Sequence, residues 1–113
     1  MAHYAWLDEN NIVVNVTVGV DETELINGLD TETFYSQATG YNIKRTSYNS
    51  KIRGVYAGVG FTYNADEDIF ITPQPYVSWS RSGSFWNPPT PMPIEGRWSW
   101  DEASLSWVES TIL

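Results

Sequence analysis

Ile12-Val13-Val14-Asn15-Val16-Thr17-Val18 is the stretch that decides the fold. Ile12, Val14, Val16 and Val18 alternate with Val13, Asn15 and Thr17. A period of two in β-branched residues predicts a half-buried strand. Tyr4–Leu7 predicts a strand before it, and Asp8-Glu9-Asn10-Asn11 between them is turn chemistry. Residues 4–18 therefore read as a hairpin.

The same recipe recurs twice. Tyr4-x-Trp6, Phe61-x-Tyr63 and Trp98-x-Trp100 each open a unit, and an acidic or amide turn follows. Val13, Phe70 or Trp107 stands seven residues after the second aromatic. Hairpins are expected around residues 8–11, 64–68 and 101–104. Their uneven spacing excludes a solenoid. Asn42–Tyr48 reads as a polar strand, Asn49–Gly54 as a loop, and Ile69–Thr72 as a strand. Val55–Tyr63 alternates large residues with Gly58 and Gly60, which predicts a strand approached closely by another backbone or ring. Asp21–Leu29 is the one expected helix, with Asp21 or Thr23 as cap and Gly28 weakening its end. Asp30-Thr31-Glu32-Thr33 reads as a turn leading into Phe34-Tyr35.

All six prolines lie between Pro73 and Pro93. Proline fixes φ and removes a donor, so this segment is expected as an extended arm over the surface. Tyr76–Ser80 and Phe85–Asn87 flank a hairpin turn at Arg81-Ser82-Gly83-Ser84. The fold class is thus mainly β: a small single domain over 1–113, built of antiparallel hairpins, with at most one short helix and a Pro/Trp-rich arm at 73–93. The expected core is Trp6, Val14, Val16, Phe61, Phe70 and Trp107, with Tyr63 and Trp100 beside them.

Composition narrows the function. Hydrophobic residues are 42% of the 113, too many for disorder. No stretch is apolar enough for a membrane span. The opening Met1-Ala2-His3-Tyr4 lacks the basic and apolar regions of a signal peptide. A net charge of −8 argues against nucleic acid as a partner. The absence of cysteine removes thiol chemistry and disulfides. His3 is the sole histidine and sits near the terminus, so no nucleophile–histidine arrangement is expected. Gly54-x-x-x-Gly58-x-Gly60 lacks the Lys-Ser/Thr of a phosphate loop. Asp8-Glu9, Asp66-Glu67-Asp68 and Asp101-Glu102 fall in hairpin turns, where carboxylates are solvated charge and not a glycosidase pair. The expectation is a protein that is not an enzyme and carries no cofactor or metal.

Two groups remain as candidate binding residues. Tyr76, Trp79, Phe85, Trp86 and Trp98 border polar, proline-rich chain, where large rings serve an interface or stack on a ligand. Lys44, Arg45, Lys51 and Arg53 lie within ten positions. They read either as a solvated edge strand and loop or as a docking patch for an acidic surface.

Several phrases together carry a resemblance. They are Tyr4-Ala5-Trp6-Leu7-Asp8-Glu9-Asn10-Asn11-Ile12-Val13, Lys44-Arg45-Thr46-Ser47-Tyr48-Asn49 and Tyr56-Ala57-Gly58-Val59-Gly60-Phe61-Thr62-Tyr63. Phe70-Ile71-Thr72-Pro73-Gln74-Pro75-Tyr76-Val77-Ser78-Trp79 and Pro91-Met92-Pro93-Ile94-Glu95-Gly96 follow, with Trp100-Asp101-Glu102 and Trp107-Val108-Glu109. Across nearly the whole chain the sequence resembles a family of small, mostly uncharacterised proteins of marine tailed phages, cyanophages among them. The family offers no catalytic motif to carry over. The resemblance implies a virion structural or accessory protein, made in the host cytoplasm, that decorates a capsid or joins a tail. Its partners would be other virion proteins or copies of itself. Independently, semi-rigid proline-rich chain loses little entropy on docking, so Trp79 or Trp86, or both, is expected to contact a neighbouring chain. The alternatives are a glycan-binding module for host attachment, with Trp79, Trp86 and Trp98 stacking on sugar, and an acidic intracellular effector that binds a host protein.

Overall fold

The computed structural model describes residues 2–110, which are mainly β with one short helix. The chain divides into two compact units, unit 1 (Met1–Pro73) and unit 2 (Gln74–Leu113). The boundary falls where the prolines begin.

Unit 1 holds a three-stranded antiparallel sheet. β1 (Ala2–Leu7) lies between β2 (Val13–Gly19) and β3 (Asn42–Thr46). A short hairpin, β4 (Thr62–Asn64) with β5 (Ile69–Ile71), stands beside it in sequence. The first turn closes as expected: Asp8 Oδ1 accepts from the amides of Asn10 and Ile12, at 2.8 and 2.9 Å. Asn11 then takes φ 62°, a left-handed value that asparagine tolerates well. The other two expected hairpins also form, and each turn likewise ends on a left-handed residue, Asp68 at φ 54° and Leu105 at φ 53°.

The register of the first hairpin corrects the expected core. Pairing slips between Trp6 and Leu7, so Leu7 stands opposite Val13. A one-residue slip exchanges the two faces of a strand. Val13 is therefore buried, while Val14 is 41% exposed. Val16 is half-buried against the core made by Ala5, Leu7, Val13, Ala57, Tyr63 and Phe70. Phe61 packs on the same cluster, and Trp6 is half-buried against a second cluster of Ala2, Tyr4 and Ile43.

The helix also differs. α1 spans Thr31–Thr39, not Asp21–Leu29. Asn27 and Gly28 both take positive φ, which no right-handed helix accommodates. Ile26 and Leu29 instead bridge in a tight turn. Asp30 is the working N-cap, accepting from the Thr33 amide, and Gly40 ends the helix at φ 78°. Thr31 and the aromatic Phe34-Tyr35 thus belong to the helix.

Val55–Gly60 forms no strand. Arg53, Gly54 and Gly60 all take positive φ, and the segment runs as irregular chain until Thr62. The close approach expected of its glycines holds at Gly58, where a Cβ would meet the Phe61 ring at 3.1 Å, and not at Gly60, where nothing lies within 4 Å.

Unit 2 contains two hairpins, β6 (Ser80–Ser82) with β7 (Phe85–Asn87), and β8 (Trp98–Asp101) with β9 (Ser106–Glu109). Gly83 at φ 60° opens the two-residue turn between β6 and β7. Tyr76–Trp79, expected as strand, is a turn closed by the Trp79 amide on the Tyr76 carbonyl at 3.1 Å.

Candidate functional site

The five tryptophans of unit 2 fall into two sets. Trp100 and Trp107 face each other directly across β8 and β9, their rings 5.2 Å apart and tilted 71°. Trp79 packs edge-on to both, at 5.8 and 6.2 Å, and Tyr76 closes the group at 5.7 Å from Trp79. Offset and edge-to-face pairs of this kind contribute roughly 0.5–1.5 kcal/mol each beyond their burial. The Trp79 Nε1 is buried without a hydrogen-bond partner among the described residues. An unmet donor costs about 1–3 kcal/mol, so the ring contacts must outweigh it.

Glu102 ties this cluster together. Its carboxylate accepts from Trp100 Nε1 at 2.8 Å and from the Ser78 hydroxyl and amide at 2.7 and 3.1 Å. These bonds, Trp100 first, hold its pKa below the ordinary carboxylate value. Trp107 Nε1 donates to the Thr90 carbonyl at 2.8 Å, which pins the proline run to the hairpin. Trp98 Nε1 donates to the Glu95 carbonyl at 2.6 Å. Tyr76 and Trp79, offered by the sequence as interface residues, thus contribute to the unit's own packing, and Trp79 engages three other rings. Trp86 and Trp98 are half-buried.

The apolar surface of unit 2 lies elsewhere. Among the described residues, all ten buried hydrophobic side chains precede Pro73. Unit 2 instead exposes Val77, Phe85, Met92, Ile94, Leu105 and Val108, with Ile94 fully open to solvent and Phe85 at 57%. The exposure of Val77, Met92, Ile94, Leu105 and Val108 is not visible in the sequence, because it depends on which rings pack together in the unit.

The four basic residues separate in the structure. Arg53 is structural: its guanidinium binds Glu32 at 2.6 Å, Asp68 at 2.7 Å and the Arg45 carbonyl at 3.1 Å. Burial acts to lower its pKa, but the bonds to Glu32 and Asp68 outweigh that and raise it. The Tyr63 hydroxyl donates to the same Asp68 carboxylate. Burial first, then that bond, pushes the Tyr63 phenol up to about 12. Tyr63 and Arg53 in turn hold Asp68 below its usual value. Lys44 lies over the Tyr63 ring at 5.7 Å. Arg45 and Lys51 come together on an open groove of about 340 Å³ that His3, Tyr48 and Asn49 also line.

A second cavity of about 340 Å³ lies beside α1, walled by Tyr4, Trp6, Tyr35 and Ile43. Each polar side chain of its wall already makes at least one hydrogen bond. Trp6 Nε1 donates to Thr17 Oγ1, the Tyr4 hydroxyl to the Val20 carbonyl, and Thr39 Oγ1 to the Tyr35 carbonyl. The Tyr35 hydroxyl accepts from the Val20 amide. The wall is otherwise apolar, built of aromatic and aliphatic side chains. Among the described residues no group of three metal-ligating side chains converges.

No protein-family model, curated protein or solved structure matches this chain.

Proposed function

We propose that this chain is a virion structural or accessory protein of a tailed phage, in a capsid or tail, and that it works by protein–protein docking. Unit 2 is the docking element. The observation that carries the reading is its apolar distribution: Val77, Phe85, Met92, Ile94 and Val108 are exposed, and none of the buried hydrophobic side chains of the described residues belongs to this unit. In this reading these exposed side chains are the ones that a partner covers. Burying each against a partner contributes about 1.5–3 kcal/mol.

The occupant in this reading is an apolar face of a neighbouring virion protein. Proline-bounded segments lose less conformational entropy on docking than flexible chain does. Weak individual contacts would add through the many copies that a particle presents. The resemblance to marine phage proteins points the same way. Mass spectrometry of purified particles of the encoding phage tests the proposal. Detection of the chain in stoichiometric amounts is expected, and its absence from the particle overturns the reading.

A further inference from the structure

The two edges of the three-stranded sheet are treated differently. On the β3 edge the outward amides are covered: Ile43 N–H donates to Ser36 Oγ at 2.9 Å and Arg45 N–H to Glu32 Oε2 at 2.7 Å. Both acceptors come from α1. These two bonds also fix which residues face which way. With Ile43 and Arg45 directed outward, Lys44 and Thr46 bond β1 opposite Ala5 and His3. Tyr4 and Trp6 then bond β2 opposite Thr17 and Asn15. Val16 and Val18 must therefore direct their N–H and C=O groups away from the sheet.

The rest of the β2 edge is occupied. At its start, Val13 exchanges two bonds of 2.8 Å with Phe61 and Gly60. Just past its end, the Val20 amide donates to the Tyr35 hydroxyl. Between them, among the described residues, the only guard is local, the Val16 amide resting on the side chain of exposed Asn15 at 2.9 Å. Edge strands are normally protected by lysine, proline or a covering element. Here Asn11–Val20 has no ionisable side chain and no proline, in a chain with 14 acidic residues. Val14 and Val18 are exposed, and Val16 is half-buried.

We infer that the outer edge of β2 is a self-docking strand whose occupant is β2 of a second copy of this chain. The sequence is self-complementary about Thr17. An antiparallel two-fold pairing sets Val16 opposite Val18 of the partner copy, twice, and Thr17 opposite Thr17. That arrangement makes about four main-chain hydrogen bonds once the Asn15 side chain swings aside. It also matches β-branched side chains across the seam. Two chains of net charge −8 repel each other over most of their surface, and an uncharged strand is where their approach costs least. This inference concerns unit 1 and is independent of docking by unit 2.

Sedimentation equilibrium of the full chain tests it, with Val18→Lys and Ile94→Lys as variants. Val18 is 54% exposed and Ile94 fully exposed, so both sites accept lysine. The wild type is expected to associate toward twice its 12.8 kDa mass. Val18→Lys should sediment as a monomer with an unchanged circular dichroism spectrum, and Ile94→Lys as the dimer. A wild type that stays monomeric, or a Val18→Lys protein that still dimerises, overturns the inference. The latter result with dissociation by Ile94→Lys would place self-association in unit 2. If Val18→Lys fails to fold, hydrogen exchange of the wild type decides. The Val18 amide should exchange at least about tenfold more slowly in concentrated than in dilute protein. Equal rates at both concentrations overturn the inference.

Discussion

Replacing Arg53 by methionine keeps the length and apolar stem of the side chain and removes its fork of donors. Arg53 joins three separate pieces of unit 1: α1 through Glu32, β3 through the Arg45 carbonyl, and the β4–β5 turn through Asp68. The Glu32 arm is well shielded, with 18% and 23% of the two side chains exposed. A charge-assisted bond there contributes about 1.5–3 kcal/mol. The Asp68 arm is 58% exposed on the carboxylate side, so solvent screening leaves it about 0–1 kcal/mol. The sum predicts a loss of about 1.5–4 kcal/mol, a large share of the stability of so small a unit. Arg53→Lys should recover only part of this, because an ammonium cannot match a fork that spans two carboxylates. Urea unfolding followed by far-ultraviolet circular dichroism measures the difference. A Glu32→Gln/Arg53→Met cycle then isolates the main arm. An Arg53→Met protein within about 0.5 kcal/mol of wild type would refute the account of Arg53 as a structural clamp.

Other outcomes follow from the same geometry. The Tyr63 phenol, raised from 10.0 to about 12, holds its proton more tightly folded than unfolded. Its contribution is therefore intact below pH 10.0 and lost as pH rises through about 12. Ultraviolet titration should show a late tyrosinate step that Tyr63→Phe removes, and identical late steps in both proteins would count against it. Glu102 has the opposite sign: its lowered folded pKa stabilises unit 2 above about pH 4.5, and that stability is lost as the pH falls through the folded value. Coupled-indole circular dichroism from Trp100 and Trp107 should fade on acidification in wild type, with the dependence flattened in Glu102→Gln. Leu105 holds φ 53° at an exposed turn. Leu105→Gly should relieve strain and stabilise the last hairpin by about 0.5–1 kcal/mol, read as a higher melting temperature.

Local chemistry was legible in the sequence, and long-range placement was not. The three hairpins at residues 8–11, 64–68 and 101–104 announced themselves through alternation and acidic turns, because both signals lie within a few residues. Asp30 as cap and Gly40 as stop are also written in the sequence, but the Leu25-Ile26-Leu29 stripe carries a stronger apolar period than Thr31–Thr39 does. The slip that buries Val13 and exposes Val14 leaves no mark in the residues themselves, since both are valine. Arg53 finds its partners 21 and 15 positions away, so its basic neighbours in sequence were misleading companions. The tryptophans of the last hairpin were conspicuous. What the sequence hid was that Trp79 joins Trp100 and Trp107, leaving the smaller apolar residues Val77, Met92 and Ile94 as the outer surface.

Particle incorporation tests the central claim, docking through unit 2, most directly. Phe85 and Ile94 are exposed and lie outside the Trp79–Trp100–Trp107 cluster. A Phe85→Ser/Ile94→Ser chain should therefore keep its coupled-indole spectrum. The measurement is its copy number in purified particles against wild type, by quantitative mass spectrometry. The account predicts a loss of at least about tenfold, since two side chains at about 1.5–3 kcal/mol each leave the interface. Undiminished incorporation of a folded double variant would contradict it.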